Sequence, residues 1–262
     1  MTSDTPGANS ATSCRMEEMT WQDYADAVAA GAGVILPVGS LEQHGAHLPM
    51  KTDAFIPSCF ALEVARRTGH IVAPALTYGY KSQALSGGGQ IFPGTTSLAG
   101  QTLTETFRDL IEEFARHGVR RILAISGHGE NQFFLFEGAD LALKTLGDAD
   151  VKVLVTGWWQ HLSDAFIDRL FGDDFPGWDL EHAATIETSL MLALDPDSVR
   201  VDRIKDEVIE AIPPYSTFPQ PPGLVPDSGL LSRATPGTAE IGAEIVDAIV
   251  SSLEAVVRAE FD

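Results

Sequence analysis

Apolar positions along this chain alternate between two kinds of pattern. Unbroken apolar runs at Val34-Ile35-Leu36-Pro37-Val38 and at 121–126 predict strands covered on both faces. Residues 71–74 and 151–156 predict two more. Between these runs the apolar residues fall at helical spacing. A short helix is predicted after Thr20, with Trp21, Tyr24 and Val28 on one face. Others are predicted over 54–67, 102–117, 132–146, 185–194 and 238–261. The clearest places Leu103, Phe107, Leu110, Ile111 and Phe114 on one stripe and stops at Gly118. Residues 78–97 are too rich in glycine for a regular helix. Six of the 15 prolines fall in 212–226, which predicts an extended loop. No internal repeat interrupts this order. Strands alternating with helices predict an α/β fold, a three-layer α/β/α sandwich around a mainly parallel sheet. It is expected to be one domain over residues 16–262, behind a disordered tail at 1–15.

Composition narrows the partners. The 262 residues carry 17 basic and 37 acidic side chains, a formal charge of -20. Such a field repels nucleic acid and anionic lipid, so neither is expected as a partner. It favours divalent cations and small neutral or cationic molecules, although solubility alone accounts for the charge. The two cysteines, Cys14 and Cys59, make no disulfide framework and fit a reducing compartment. Residues 1–13 lack the basic and apolar regions of a signal peptide, and no apolar run approaches the ~20 residues of a membrane span. A cytoplasmic location is the expectation.

In a mainly parallel sheet, ligands bind beyond the carboxyl ends of the strands. Both central runs end in polar clusters. The first is Glu42-Gln43-His44-Gly45-Ala46-His47-Leu48-Pro49, followed by Asp53; the second is Gly127-His128-Gly129-Glu130-Asn131. A Glu-x-His pair alone is weak, but its recurrence at a second strand end is not. Mixed carboxylate and imidazole donors suit zinc or manganese better than calcium. Glu42, His44, Asp53, His128 and Glu130 exceed the three or so ligands of one catalytic zinc and suit two ions about 3.5–4 Å apart. Asp53, short and near Glu42 and His44 in sequence, is the natural bridge. The competing account of the same residues is scattered surface and helix-capping roles. His47, three residues beyond His44, is expected to support the site rather than to bind metal.

The segment Leu36-Pro37-Val38-Gly39-Ser40-Leu41-Glu42-Gln43-His44-Gly45 resembles the signature of the creatininase family. Tyr78-Gly79-Tyr80-Lys81-Ser82-Gln83, Ser86-Gly87-Gly88-Gly89, Phe92-Pro93-Gly94-Thr95-Thr96-Ser97-Leu98, Gly177-Trp178-Asp179-Leu180-Glu181-His182 and Glu187-Thr188-Ser189-Leu190-Met191-Leu192-Ala193-Leu194 extend the likeness over 36–194. The resemblance implies a two-metal hydrolase with one ion held by Glu42, Asp53 and His128. It implies a second held by His44, Asp53 and Glu130. Many family members have glycine where this chain has Glu130, and the carboxylate is similar to the branch that opens cyclic amides. The resemblance further implies that Ser86, Trp159, Trp178, Asp179 and His182 line or close the substrate pocket. His182 would carry the proton, with Glu181 beside it and Glu130 also catalytic; Glu187 is left outside the ligand set. One departure stands out. Gly129 replaces a substrate-touching tyrosine of that branch, which reshapes the pocket at that point. The implied reaction is opening of a cyclic amide, with creatinine to creatine as the prototype. The rivals are a relative acting on another lactam, a formamide or an inosose-type ketone, and a non-catalytic metal or small-ligand binding protein. The family also implies a homo-oligomer, commonly a hexamer.

Overall fold

The computed structural model describes residues 13–209, 213 and 215–261. β1 (Val34–Val38), β2 (Ile71–Val72), β3 (Arg121–Ser126) and β4 (Lys152–Gly157) form one parallel sheet, ordered β2-β1-β3-β4. Val34 pairs with Ile71 on one side and Ile122 on the other, and Arg121 pairs with Lys152. β1 and β3 are therefore the two inner strands. That placement explains why every residue of β1, and all of β3 after Arg121, is buried.

Strand alternation sorts the core into two layers. Val34, Leu36, Ile122 and Ala124 face α1 (Trp21–Ala29), α4 (Gly100–Arg116) and α5 (Gln132–Leu146). Ile35, Leu123 and Ile125 face α2 (Thr52–Thr68), α7 (Thr185–Leu194) and α8 (Ala239–Phe261). This is the three-layer α/β/α sandwich expected. α3 (Ala84–Gly87) is a single short turn inside the glycine-rich segment, and α6 (Asp164–Phe171) follows β4. Among the described residues no helix is long and apolar enough to cross a membrane.

Three expectations change in detail. The second strand is two residues long rather than four, because Pro74 has no N–H to continue the ladder. Trp21 is 75% exposed, since α1 reaches the core only through Tyr24, Ala27 and Val28. Of the expected tail, residues 1–12 lie outside the described residues. The remainder runs beside β2, where Val72 N–H donates to the Cys14 carbonyl at 2.8 Å.

Candidate metal centre

The parallel pairing of β1 with β3 carries both polar clusters to one edge of the sheet. Two glycines then let the start of α2 settle onto that edge. A Cβ on Gly39, just past β1, would overlap the backbone of Asp53 and Ala54. A Cβ on Gly127, just past β3, would overlap the Asp53 carbonyl and reach Pro57. Pro57 has no N–H to return to that carbonyl, so the helix leaves room there for the strand end. Asp53 thus stands in the first turn of α2, buried between His44 and His128.

Two triads result, each with ligand atoms within 4.8 Å of one another: Glu42, Asp53 and His128, and His44, His182 and Glu187. Asp53 joins them. Its Oδ1 lies 2.9 Å from His44 Nε2, and its Oδ2 lies 3.4 Å from His128 Nδ1. Glu42 Oε2 is 2.9 Å from the same His128 nitrogen, and Glu187 Oε2 is 3.6 Å from His44 Nε2. These approaches lack hydrogen-bond alignment. Glu42 Oε2, His44 Nε2 and Asp53 Oδ2 are buried with no hydrogen-bond partner, a costly state for charged groups unless a cation completes it.

The backbone fixes which imidazole nitrogen faces inward. A carbonyl can only accept, so His44 Nδ1–H donates to Glu42 O at 3.1 Å and His128 Nε2–H donates to Tyr80 O at 3.1 Å. His44 Nε2 and His128 Nδ1 are left toward the carboxylates. Electrostatics agree with the geometry. Burial opposes charge on both rings, yet Asp53 and Glu187 hold His44, and Glu130 and Glu42 hold His128, well above the usual imidazole range. Burial pushes the Glu42 carboxyl up to about 7 despite His128 beside it. Burial likewise opposes ionisation of Asp53, but His44 and His128 outweigh it and keep that carboxyl below its usual range.

A second layer braces the triads. Ser82 Oγ–H donates to Glu42 Oε1 at 2.5 Å. His47 binds Thr188 Oγ1 through Nε2 at 2.8 Å, a supporting place on α7. Gln43 packs against His182: its carbonyl oxygen and its side-chain amide nitrogen each lie 2.9 Å from His182 Nε2, and the amide also donates to Gly229 O at 2.8 Å. Gly45 N–H in turn donates to Gln43 Oε1 at 2.8 Å, so the glutamine is clamped from three sides. Burial, and then the neighbouring His44 ring, hold His182 well below the usual imidazole range. Ala183 next to it adopts φ 53°, a strained value for a non-glycine, and its N–H donates to Glu187 Oε2 at 2.7 Å.

Three acidic residues take places that their spacing in the sequence does not show. Glu187, left outside the ligand set, lies against His44 in the second triad. Glu130 belongs to neither triad. Its Oε1 accepts from Ser86 Oγ–H at 2.6 Å and from Gln83 N–H at 2.8 Å, and its Oε2 stands 3.5 Å from His128 Nε2. The Nε2 side of His128 faces Tyr80 and Glu130, and its Nδ1 side faces Glu42 and Asp53. Glu181, expected beside the proton carrier, turns its Oε1 to Ile186 N–H at 2.5 Å and caps α7. Burial and the Glu187 charge raise its carboxyl to about 8.

Above this floor opens a cavity of about 560 Å³. Asp53, His128, Glu130 and His182 reach it from below, and Ser86, Gly129, Trp159, Trp178 and Asp179 line it, as do Tyr80, Gln132, Phe133, Phe134 and Phe218. Trp159 and Trp178 stand edge-on to the buried Trp158, with ring centroids 5.8 and 6.2 Å from it. The sequence expectation did not name Phe133 or Phe218, whose only signal was an apolar residue just after a polar cluster and another in the proline-rich loop.

A family model described as creatinine amidohydrolase matches residues 17–257. A creatinine amidohydrolase of Pseudomonas putida is 48% identical over 93% of this chain and 96% of its own length. A mycofactocin precursor peptide peptidase of Mycobacterium tuberculosis is 31% identical over 83% of this chain and 81% of its own. The crystal structure of a creatinine amidohydrolase (creatininase) superposes with a TM-score of 0.93 at 47% identity, covering 96% of this chain and 99% of that one. Solved creatininases include a Zn-Zn type, an Mn form and a complex with creatine. Two buried carboxylate-imidazole triads at the carboxyl edge of a parallel sheet, and this likeness along nearly the whole chain, place the protein in the creatininase family.

Proposed function

We propose that this chain hydrolyses the ring amide of creatinine to creatine with two divalent ions, zinc or manganese, bound at its buried triads. The observation that carries the reading is the set of unpartnered buried atoms on Glu42, His44 and Asp53 at the floor of a cavity. Carboxylate and imidazole donors of this kind fit borderline cations. Glu42, Asp53 and His128 would hold one ion; His44, Asp53 and one more carboxylate, Glu130 as the resemblance implies or Glu187 from α7, would hold the other, with His182 alongside. Ions held there supply Lewis acidity, polarising the amide carbonyl and acidifying water near neutral pH.

The chain's own residues do the rest. Water's oxygen bonds to the carbonyl carbon, the ring C–N bond breaks, and a proton must reach the departing nitrogen. His182 is the group for that transfer: one nitrogen is tied to the Gln43 carbonyl and the ring reaches the cavity. Glu130, oriented by Ser86 and Gln83, offers a second carboxylate at the cavity edge to take up the proton that water gives away. Glu181 holds the start of α7 and so positions His182 and Glu187. Trp159 and Trp178 present faces for a flat ring, and Asp179 offers charge to its guanidine-like edge. Residues 16–262 act as one domain in this reading. The family likeness supports a homohexamer, and the net charge and cysteine usage support a cytoplasmic home.

The test is turnover of creatinine, against a panel of lactams and formamides, by metal-loaded protein with metal content measured on the same sample. Creatinine hydrolysis with two ions per chain is expected. Fewer than two ions and no hydrolysis of any substrate would return the chain to a binding role. Preference for another member of the panel would favour a different substrate of the same site, which the open space beside Gly129 keeps in play.

A further inference from the structure

Of the glycines that border the reaction cavity, Gly127 and Gly129 differ sharply. A Cβ on Gly127 would collide with the Asp53 backbone, whereas one on Gly129 would meet nothing within 4 Å. Gly129 is not held in a left-handed conformation, so its lack of a side chain is not a backbone requirement. It leaves open volume on one wall, in a cavity whose 560 Å³ lies within the range that takes ligands well above a single small ring. One helical turn onward, Phe133 lines the same cavity and is 78% exposed. Its ring stands edge-on to Phe136, with centroids 6.2 Å apart, and its surface is uncovered. A bare aromatic beside unfilled space, within a cavity whose floor carries the chemistry, is a subsite for an apolar group.

We infer that the site takes cyclic amides larger than creatinine, those carrying a flat apolar substituent that passes Gly129 and covers Phe133. The inference rests on the amide-hydrolase reading for its chemistry, but the subsite can be tested apart from the reaction. The bond broken is the same ring C–N bond, with water supplying hydroxyl to carbon and hydrogen to nitrogen; the substituent takes no part.

The probes are creatinine and the two creatinines benzylated at a ring or exocyclic nitrogen. Binding is followed by isothermal titration calorimetry, and turnover by product formation on metal-loaded protein. At least one benzylated compound is expected to bind and to turn over. In Gly129→Phe the ratio of its kcat/KM to that of creatinine should fall about tenfold or more, the scale set by filling an apolar pocket. Phe133→Ala should raise its KM several-fold with kcat held. Exclusion of both benzylated compounds from protein that turns over creatinine would overturn the inference, and so would an unchanged ratio in Gly129→Phe. If no compound is hydrolysed at all, the reaction assigned to the site fails instead. The benzyl compound's binding, and its loss in Gly129→Phe, still decide the subsite.

Discussion

The floor and the wall of one cavity are built on opposite terms. On the floor every approach is tight: Gly39 and Gly127 exist so that β1, β3 and α2 can touch, and the ligands between them are almost wholly buried. On the wall the chain leaves Gly129 facing open space and Phe133 and Phe218 78% and 77% exposed. The contrast separates two requirements. Chemistry needs a few donors held to fractions of an ångström, and substrate choice needs a surface that can vary without disturbing them.

The sharpest way to break the comparison is to remove the residue that joins the triads. Asp53→Ala should lower turnover by on the order of 10³-fold or more, since several kcal/mol of metal-ion assistance depend on it. Metal content, by elemental analysis, should fall below two ions per chain; full metal occupancy in that variant would show that Asp53 does not bridge. Next comes His182→Ala, expected to cost about 10²–10⁴-fold in kcat as a lost proton carrier while both ions stay bound. Activity near that of the unaltered chain would remove His182 from the reaction.

Ser82→Ala leaves Glu42 Oε1 without its hydroxyl donor, and metal affinity should weaken about 10–100-fold in a competition titration with a chelating dye. The smallest effect is the most direct comparison of floor with wall, because it makes one substitution two residues apart. Gly127→Ala should destabilise the fold by about 1–3 kcal/mol through overpacking against α2. Gly129→Ala should shift stability by less than about 0.5 kcal/mol. Equal thermal denaturation midpoints for the two variants would contradict the contrast.

Much of this architecture is legible in the order of residues alone. The two inner strands announce themselves as unbroken apolar runs, and the polar clusters at their ends supply Glu42, His44, Asp53 and His128. What sequence does not convey is direction. Glu130 sits two residues from His128, but its carboxylate is aimed by Ser86 Oγ–H and Gln83 N–H, contacts that no spacing announces. Glu187 reaches His44 from a helix far along the chain, within a block that resembles the family but bears no metal-like spacing. Ser82 and Gln43 are uncharged, and most of their contacts, to Glu42, Gly45 N–H and the Gly229 carbonyl, join segments that no pattern of side chains links. Likewise the wall draws on Phe218 from a proline-rich loop, whose path follows from packing rather than periodicity.

The unpartnered atoms on the floor also make the fold a debtor to its ions. A ligand that binds only the native state adds RT ln(1 + [L]/Kd) to its stability, about 2.7 kcal/mol at a hundredfold excess over Kd. The denatured chain scatters Glu42, Asp53, His128 and Glu187 along its length and offers no such site. Free zinc or manganese in the surroundings therefore sets how firmly α2, β1, β3 and α7 are fastened together. Metal supply would then govern how long this protein persists as well as how fast it works.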